Sequence, residues 1–311
     1  MATIDTFLDI EPIDLTDTGI QPDSLSGEVA VITGSTSNVG LGYARAIAAA
    51  GGKVVITGRN EEQGKEAERV IELEYGQGAA KFVRCDVTQE ADIQHLALVA
   101  GETYGKVDIL INNAMNLRLN GPVLSSPVSE LNEAFDLSGP AVMRTIQAFV
   151  PGMLERKHGV VVYSTTQFHY SPPMIGGAIY CAGKAVATSL TMSLANEIGP
   201  YSETGVGVFC MIPSGVGRMR PSSDPNRPAP QPSAYGFIGP IPPEANALAL
   251  VYSILHAGKL HCSGISCVDA FAAMNFPYPH PEALQTNAMY RLNDRELTLV
   301  FRNMGPGFGE E

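Results

Sequence analysis

From Glu28 onward, short runs of apolar and β-branched residues alternate with longer stretches of helical periodicity. EVAVIT (28–33) predicts a strand, and VGLGYARAIAAAGG (39–52) a helix stopped by glycine. KVVIT (53–57) is the next strand, followed by the charged amphipathic helix EEQGKEAERVIELEYG (61–76). The rhythm continues with strand AKFVRCD, a helix near 88–103, strand KVDILINNA, a long helical region from about 130 to 157 and strand GVVVYST. A helix over 180–198, strand GVGVFCMIP, a helix over 243–257 and a last strand around ISCVD complete it. The strands are apolar throughout rather than alternating, so they are buried on both faces of a parallel sheet. Right-handed crossovers then give a doubly wound, Rossmann-type α/β fold, with no composition break to divide it. A single catalytic domain is expected over 27–270.

Two ends and one internal segment depart from that rhythm. Residues 1–26 form an acidic N-terminal extension with six acids, no base and interspersed apolar residues such as Phe7, Ile10 and Leu15, suited to lying against the body or a neighbouring subunit. Residues 213–243 hold nine prolines and no helical period, and they follow the C-terminal end of a strand, where open α/β sheets bind ligands. This segment is expected to be a substrate lid. Residues 271–311, rich in Phe, Tyr, Pro and Asn, form a C-terminal extension that either contacts another subunit or covers the site.

Charge and composition narrow the function. The 311 residues carry 20 Lys+Arg against 32 Asp+Glu, a net charge of -12 that disfavours a nucleic-acid partner. No apolar run approaches the roughly 20 residues of a membrane span. MATIDTFLDIEP lacks the basic start of a targeting peptide, so a cytoplasmic protein is expected. Five cysteines without CxxC spacing read as reduced thiols, and six scattered histidines supply no metal site.

Candidate chemistry lies at two places. Thr33-Gly34-Ser35-Thr36-Ser37-Asn38-Val39-Gly40 joins the first strand to the first helix, where glycines let the backbone approach a pyrophosphate at a helix N-terminus. Asn38 stands at a middle position where glycine is usual, and Asn is the side chain that best tolerates a left-handed backbone. The second strand ends Thr57-Gly58-Arg59-Asn60, with no acid for a free ribose hydroxyl. Arg59 instead offers a planar fork for a 2′-phosphate, which predicts NADP(H). Asp86, with Val87 beside it, is placed to meet the adenine, and Asn112 and Asn113 either fix backbone or touch the cofactor. Farther along, Tyr180 and Lys184 stand i and i+4 on one helical face. An ammonium beside a phenol is expected to lower the Tyr180 pKa from about 10 and make it a proton donor and acceptor. Thr165 and Thr166 end the preceding strand, where a hydroxyl holds a reacting oxygen.

In this order the motifs resemble the short-chain dehydrogenase/reductase family over residues 26–270, with this chain as a divergent member. The family's TGxxxGxG turn is matched by Gly34, Asn38 and Gly40, its NNAG by Asn112-Asn113-Ala114-Met115, and its YxxxK by Tyr180 to Lys184. Thr166 falls at the catalytic serine, with Thr165 as neighbour, and Asp136 at the helical Asn that orders a water next to the lysine. Pro213-Ser214 stands for Pro-Gly, and Val268-Asp269-Ala270-Phe271 for the closing VDGG. The resemblance implies catalysis by Tyr180, Lys184, Thr166 and Asp136. It implies cofactor contacts from Gly34, Thr36, Ser37, Asn38, Val39, Gly40, Arg59, Asp86, Val87, Asn113, Ala114, Tyr180, Lys184, Pro213 and Val216.

The expected activity is NADP(H)-dependent interconversion of a hydrophobic, cyclic or aromatic ketone and its secondary alcohol. A pocket wall of Met115, Leu117, Leu119, Phe168, His169, Tyr170, Met174, Ile175, Val216 and Met219 suits such a substrate, with Arg118, Arg218 and Arg220 nearby. Met115 is expected to narrow or reshape the nicotinamide side, and Asp136 to accept from the ordered water near Lys184. Two alternatives stand: diversion to a non-redox cyclisation, dehydration or epimerisation, and a catalytically weak NADP(H) sensor. A homodimer or homotetramer through the helices near 130–157 and 180–198 is implied by the resemblance.

Overall fold

The computed structural model describes residues 18–116, 118–119, 121–166, 176–213, 216, 243–276, 287–293 and 296–302. Strand β1 (Val29–Ile32) leads into helix α1 (Asn38–Ala49), then β2 (Lys53–Gly58), α2 (Glu61–Tyr75), β3 (Ala80–Arg84) and α3 (Glu90–Tyr104). Next come β4 (Ile109–Asn112), α4 (Val128–Ser138), α5 (Pro140–Arg156), β5 (Gly159–Ser164) and α6 (Ala178–Ile198). The short α7 (Tyr201–Thr204), β6 (Val206–Ile212), α8 (Pro243–Leu255), α9 (Ala257–Leu260), β7 (Ser263–Ser266) and α10 (Cys267–Met274) follow. A hairpin of β8 (Asn287–Asn293) and β9 (Glu296–Arg302) ends the described chain.

The strands lie in the order β3-β2-β1-β4-β5-β6-β7-β8-β9. Neighbours from β3 to β7 are all parallel, so the seven form the doubly wound sheet that the apolar runs imply. Strand alternation splits the core. Ala30, Ile32, Val54 and Ile56 face α1, α2, α8 and α10, whereas Val31, Val55, Val161 and Val208 face α3, α5 and α6. The chain adds strands outward in one direction from β1 to β3 and in the other from β4 onward, so the ends of β1 and β4 open the crevice where such sheets bind ligands.

Three details differ from the sequence pattern. The helical region near 130–157 breaks at Gly139, with Pro140 starting a second helix at a position where its missing N–H is harmless. The last parallel strand stops at Ser266, whose side chain accepts from the Asp269 N–H while the Asp269 carboxylate accepts from Ser266. That capping box turns Cys267, Val268 and Asp269 into helix rather than strand. The C-terminal segment, read only as a tail, adds two antiparallel strands beyond β7. At the other end, Ile20 and Leu25 are buried in the core, and the Leu25 N–H donates to Ala50. None of the five cysteines is in a disulfide. No helix among the described residues is long and apolar enough to cross a membrane.

Candidate active site

The turn after β1 is built by two close approaches. Gly34 is left-handed (φ 64), and a Cβ there would stand 2.9 Å from the Ala114 Cα, so the ends of β1 and β4 are in backbone contact. A Cβ on Gly40 would collide with the Gly34 carbonyl. Asn113 fastens the turn: its Nδ2 donates to the carbonyls of Thr33 (3.0 Å) and Gly34 (3.2 Å), and Thr33 Oγ1 accepts from the N–H of Asn113 and Ala114. Asn113 is therefore a backbone fixer. Asn38 adopts the left-handed conformation (φ 50). Ser37 is the extended N-cap of α1, its side chain makes no capping bond, and no acid stands in the first turn. The first N–H groups of α1 face no built-in anion and are suited to a phosphate.

At the end of β2, a Cβ on Gly58 would meet Thr36, so this strand end abuts the same turn. Arg59 is exposed and forms no salt bridge among the described residues, whereas Asn60 caps α2 by accepting from the Gln63 N–H at 3.0 Å. Asp86 turns inward on its own loop: its Oδ1 accepts from the Thr88 N–H and hydroxyl. Val87 is buried and lines a small crevice with Thr33, Asn112, Ala114 and residues of α4 and α5. The Asn112 Nδ2 is buried there without a hydrogen-bond partner. Pro213 follows β6, and Val216 is 36% exposed.

The chemical end is where α6 crosses the ends of β5 and β6. Lys184 is 4% exposed, and its Nζ donates to the Ser164 carbonyl at 2.5 Å. Nζ lies 5.8 Å from the Tyr180 ring centroid and 4.9 Å from that of Tyr163. Burial pulls the Lys184 pKa down to about 7. Tyr180 goes up rather than down, to about 12, again through burial. The expected lowering fails because the ammonium is aimed at a backbone carbonyl, leaving desolvation to dominate the phenol. Tyr180 is thus a neutral O–H at physiological pH.

Two adjacent threonines have different surroundings. Thr165 Oγ1 is 2.6 Å from Thr188 Oγ1, and Thr188 donates to the Lys184 carbonyl at 2.8 Å. With the Thr188 proton so used, Thr165 is the donor between them, and its hydroxyl is committed to α6. Thr166, 6% exposed, ends the same strand one residue nearer the cleft.

Several pocket expectations change. Met115 packs against the end of α4 and the start of α6: its Sδ accepts from Ser138 Oγ at 3.8 Å, and a Cβ on Gly183 would lie 3.4 Å from its Cε. With the buried Leu119, Ala134 and Ile179 it forms a small apolar cluster beneath α4 and α6. Asp136 is half-exposed and lies 4.0 Å from Arg144, the outer limit of an ion pair and without a hydrogen bond, and Lys184 is absent from the salt bridges of the described residues. Leu117, Phe168, His169, Tyr170, Met174, Ile175, Arg218, Met219, Arg220 and almost all of the 213–243 lid lie outside the described residues. Sequence reasoning missed Tyr163, Ser138 and Thr188. Their hydroxyls sit in an apolar strand and in helices, and only the crossing of α6 over β5 brings them together.

A nicotinamide dinucleotide fits these residues in kind: an uncapped helix start for the pyrophosphate, an unpaired Arg59 beside it, and a crevice with a spare buried donor. Comparison with known proteins agrees. The family described as short chain dehydrogenase matches residues 28–224. An uncharacterized oxidoreductase of Staphylococcus aureus (strain MW2) is 31% identical over 194 residues, 62% of this chain and 79% of that one. A crystal structure provisionally described as a betaketoacyl-ACP reductase is 30% identical with TM-score 0.67, covering 78% of this chain and 96% of that one. A metagenomic short-chain oxidoreductase solved in complex with NADP is 27% identical with TM-score 0.59, covering 73% and 91%. With the doubly wound sheet and the Tyr180–Lys184 face, the match over residues 28–224 makes the chain a member of the short-chain dehydrogenase family, oxidoreductases that work with a nicotinamide cofactor.

Proposed function

We propose that the protein is an NADP(H)-dependent oxidoreductase that interconverts a hydrophobic, cyclic or aromatic ketone and its secondary alcohol. The observation that carries this most directly is the neutral, partly buried Tyr180 phenol one helical turn from the buried Lys184, at the strand end bearing Thr166. When bound, the nicotinamide supplies or accepts the hydride at the carbonyl carbon. Tyr180 gives its proton to the carbonyl oxygen in reduction and takes it back in oxidation. Thr166 holds that oxygen beside the phenol. Lys184 spends one N–H on Ser164 and keeps others for the nicotinamide ribose and for the phenolate as it forms. Asp136, half-exposed and 4.0 Å from Arg144, stands at the edge of this arrangement as a charge rather than a proton path.

Gly34, Thr36, Ser37, Asn38, Val39 and Gly40 would hold the pyrophosphate, with Val87, Asn113 and Ala114 along the dinucleotide and Pro213 and Val216 at its nicotinamide end. The choice of NADP(H) rests on the exposed Arg59, and the relative solved with NADP supports it. Arg59→Ala is expected to weaken NADPH binding by about 10- to 100-fold, the worth of a charge-assisted hydrogen bond, and to leave NADH binding unchanged. Equal losses for both cofactors would remove the basis for NADP(H). A screen of apolar ketones with NADPH then tests the chemistry, with turnover expected to fall at least 1,000-fold in Tyr180→Phe.

A further inference from the structure

Lys184 has been taken out of water without gaining a carboxylate among the described residues. The groups facing it are Tyr180 on α6, Tyr163 and the Ser164 carbonyl on β5, and Cys210 on β6. Tyr43 on α1 stands against Ser164 from behind, with Cys267 of α10 beyond it. Burial pushes the Cys210 thiol and the Tyr43 phenol up, so both stay neutral. A single carbonyl is a thin counterpart for a buried ammonium. The second counterpart is an aromatic face: Nζ is nearer the Tyr163 ring, at 4.9 Å, than the Tyr180 ring, and a desolvated cation over such a ring is drawn to its quadrupole.

The Tyr163 ring is fixed for that task. It points from β5 toward α5 and α6, packed with Val142, Ala187, Met192 and Cys210. Its hydroxyl meets the Ser138 hydroxyl at the end of α4, and Ser138 in turn donates to Met115 Sδ. Gly183, the residue before Lys184, passes so close that a Cβ on it would stand 3.0 Å from Ser138 Oγ. Burial raises the phenol well above its ordinary range, so the ring remains a neutral quadrupole and never a competing anion.

We infer that Tyr163, anchored by Ser138, is a positioning residue whose ring face seats the Lys184 ammonium between the Ser164 carbonyl and Tyr180 and favours its protonated form over what burial alone would allow. The role rests on Tyr180 and Lys184 being the working pair, and it is tested without turnover. The chain has seven lysines, so ε-13C-lysine labelling gives few resonances, and Lys184→Met identifies the one that matters. Cofactor-free protein is titrated from pH 5 to pH 10 as wild type, Tyr163→Phe and Tyr163→3,4,5-trifluorophenylalanine. The last keeps the shape of the phenylalanine ring but cancels most of its quadrupole, so both variants fill the same space. Tyr163→Phe is expected to leave the Lys184 midpoint in place. The fluorinated ring is expected to lower it by about 0.5 to 1.5 pH units, the size of a desolvated cation–π contact. Identical midpoints in the two variants overturn the inference, and so does a fall in stability without a shift, which is what mere packing produces. Absence of NADPH-dependent turnover in the wild type bears on the proposed reaction alone, because the titration does not depend on it.

Discussion

Replacing Lys184 with methionine should make the protein more stable in acid and progressively less advantaged in base. Methionine fills nearly the same volume and carries no charge. In the folded state Lys184 is 4% exposed and its pKa is pulled down to about 7, against 10.5 in an exposed lysine. Between those values the unfolded chain binds a proton that the folded chain does not, so stability rises with pH across that window. At pH 6 both states are protonated, and the folded state bears the whole cost of burying the charge, about 5 kcal/mol at 1.36 kcal/mol per pH unit. At pH 9 about 2 kcal/mol of it remains. Loss of the bond to the Ser164 carbonyl subtracts about 1–2 kcal/mol from the variant at every pH.

The assay is urea unfolding of cofactor-free wild type and Lys184→Met at pH 6, 7.5 and 9. The difference between the two proteins should move by about 3 kcal/mol toward the wild type from pH 6 to pH 9, whatever the other titrating groups do. A difference that stays flat to within about 0.5 kcal/mol would refute the claim that this lysine is buried without a carboxylate. A slope of opposite sign would mean that Lys184 has found one, because an ion pair raises its pKa.

Other perturbations separate structural from chemical roles. Thr165→Val removes the donor to Thr188 and should cost about 1–2 kcal/mol in chemical denaturation with most turnover retained, whereas Thr166→Val should lower kcat about 100-fold with little loss of stability. Leu25→Ala should cost about 2–5 kcal/mol in the same assay, because this side chain is buried in the main core although it precedes β1. Arg45 is 1% exposed and bonded through Nε and Nη2 to both oxygens of Glu74. Arg45→Met should therefore cost about 3–5 kcal/mol, and adding Glu74→Leu should recover most of it, as measured by the unfolding midpoint.

The sheet was legible because strands buried on both faces are poor in charged residues, so most of the parallel strands stand out as apolar runs, with SGIS of β7 the weakest. The same property concealed the site's inner layer. In GVVVYST the run declares that Tyr163 is buried but not which helix it meets, and its partner Ser138 is 25 positions earlier in a different element. Tyr180 and Lys184 were legible because i,i+4 spacing is local, whereas the direction of the Tyr180 pKa was not, since it depends on where the ammonium points. Asp136 was placed by position within a motif, yet its carboxylate lies half-exposed, 4.0 Å from Arg144 on the next helix. The terminal hairpin had its own signal, with Leu297, Leu299 and Phe301 alternating along β9, but the proline- and aromatic-rich stretch before it hid the change of period.

The departures at signature positions are easier to understand as one layer than as separate losses. A methionine at position 115 would be an intrusion if the cleft were its only space, but its side chain runs under α4, where Gly183 leaves room and Ser138 supplies a donor. Ser138, its one proton given to Met115, then accepts from the Tyr163 hydroxyl, and the Tyr163 ring lies under the lysine. An acid at position 136 is tolerable in the same arrangement because the polar support for the tyrosine–lysine face comes from Ser138, two residues farther along α4, while the carboxylate itself stays half-exposed near Arg144. Exchanging one of these residues for the family's usual one should therefore disturb the others: Met115→Gly empties the space that Ser138 donates into, and restoring asparagine at 136 does nothing for a lysine already held from below.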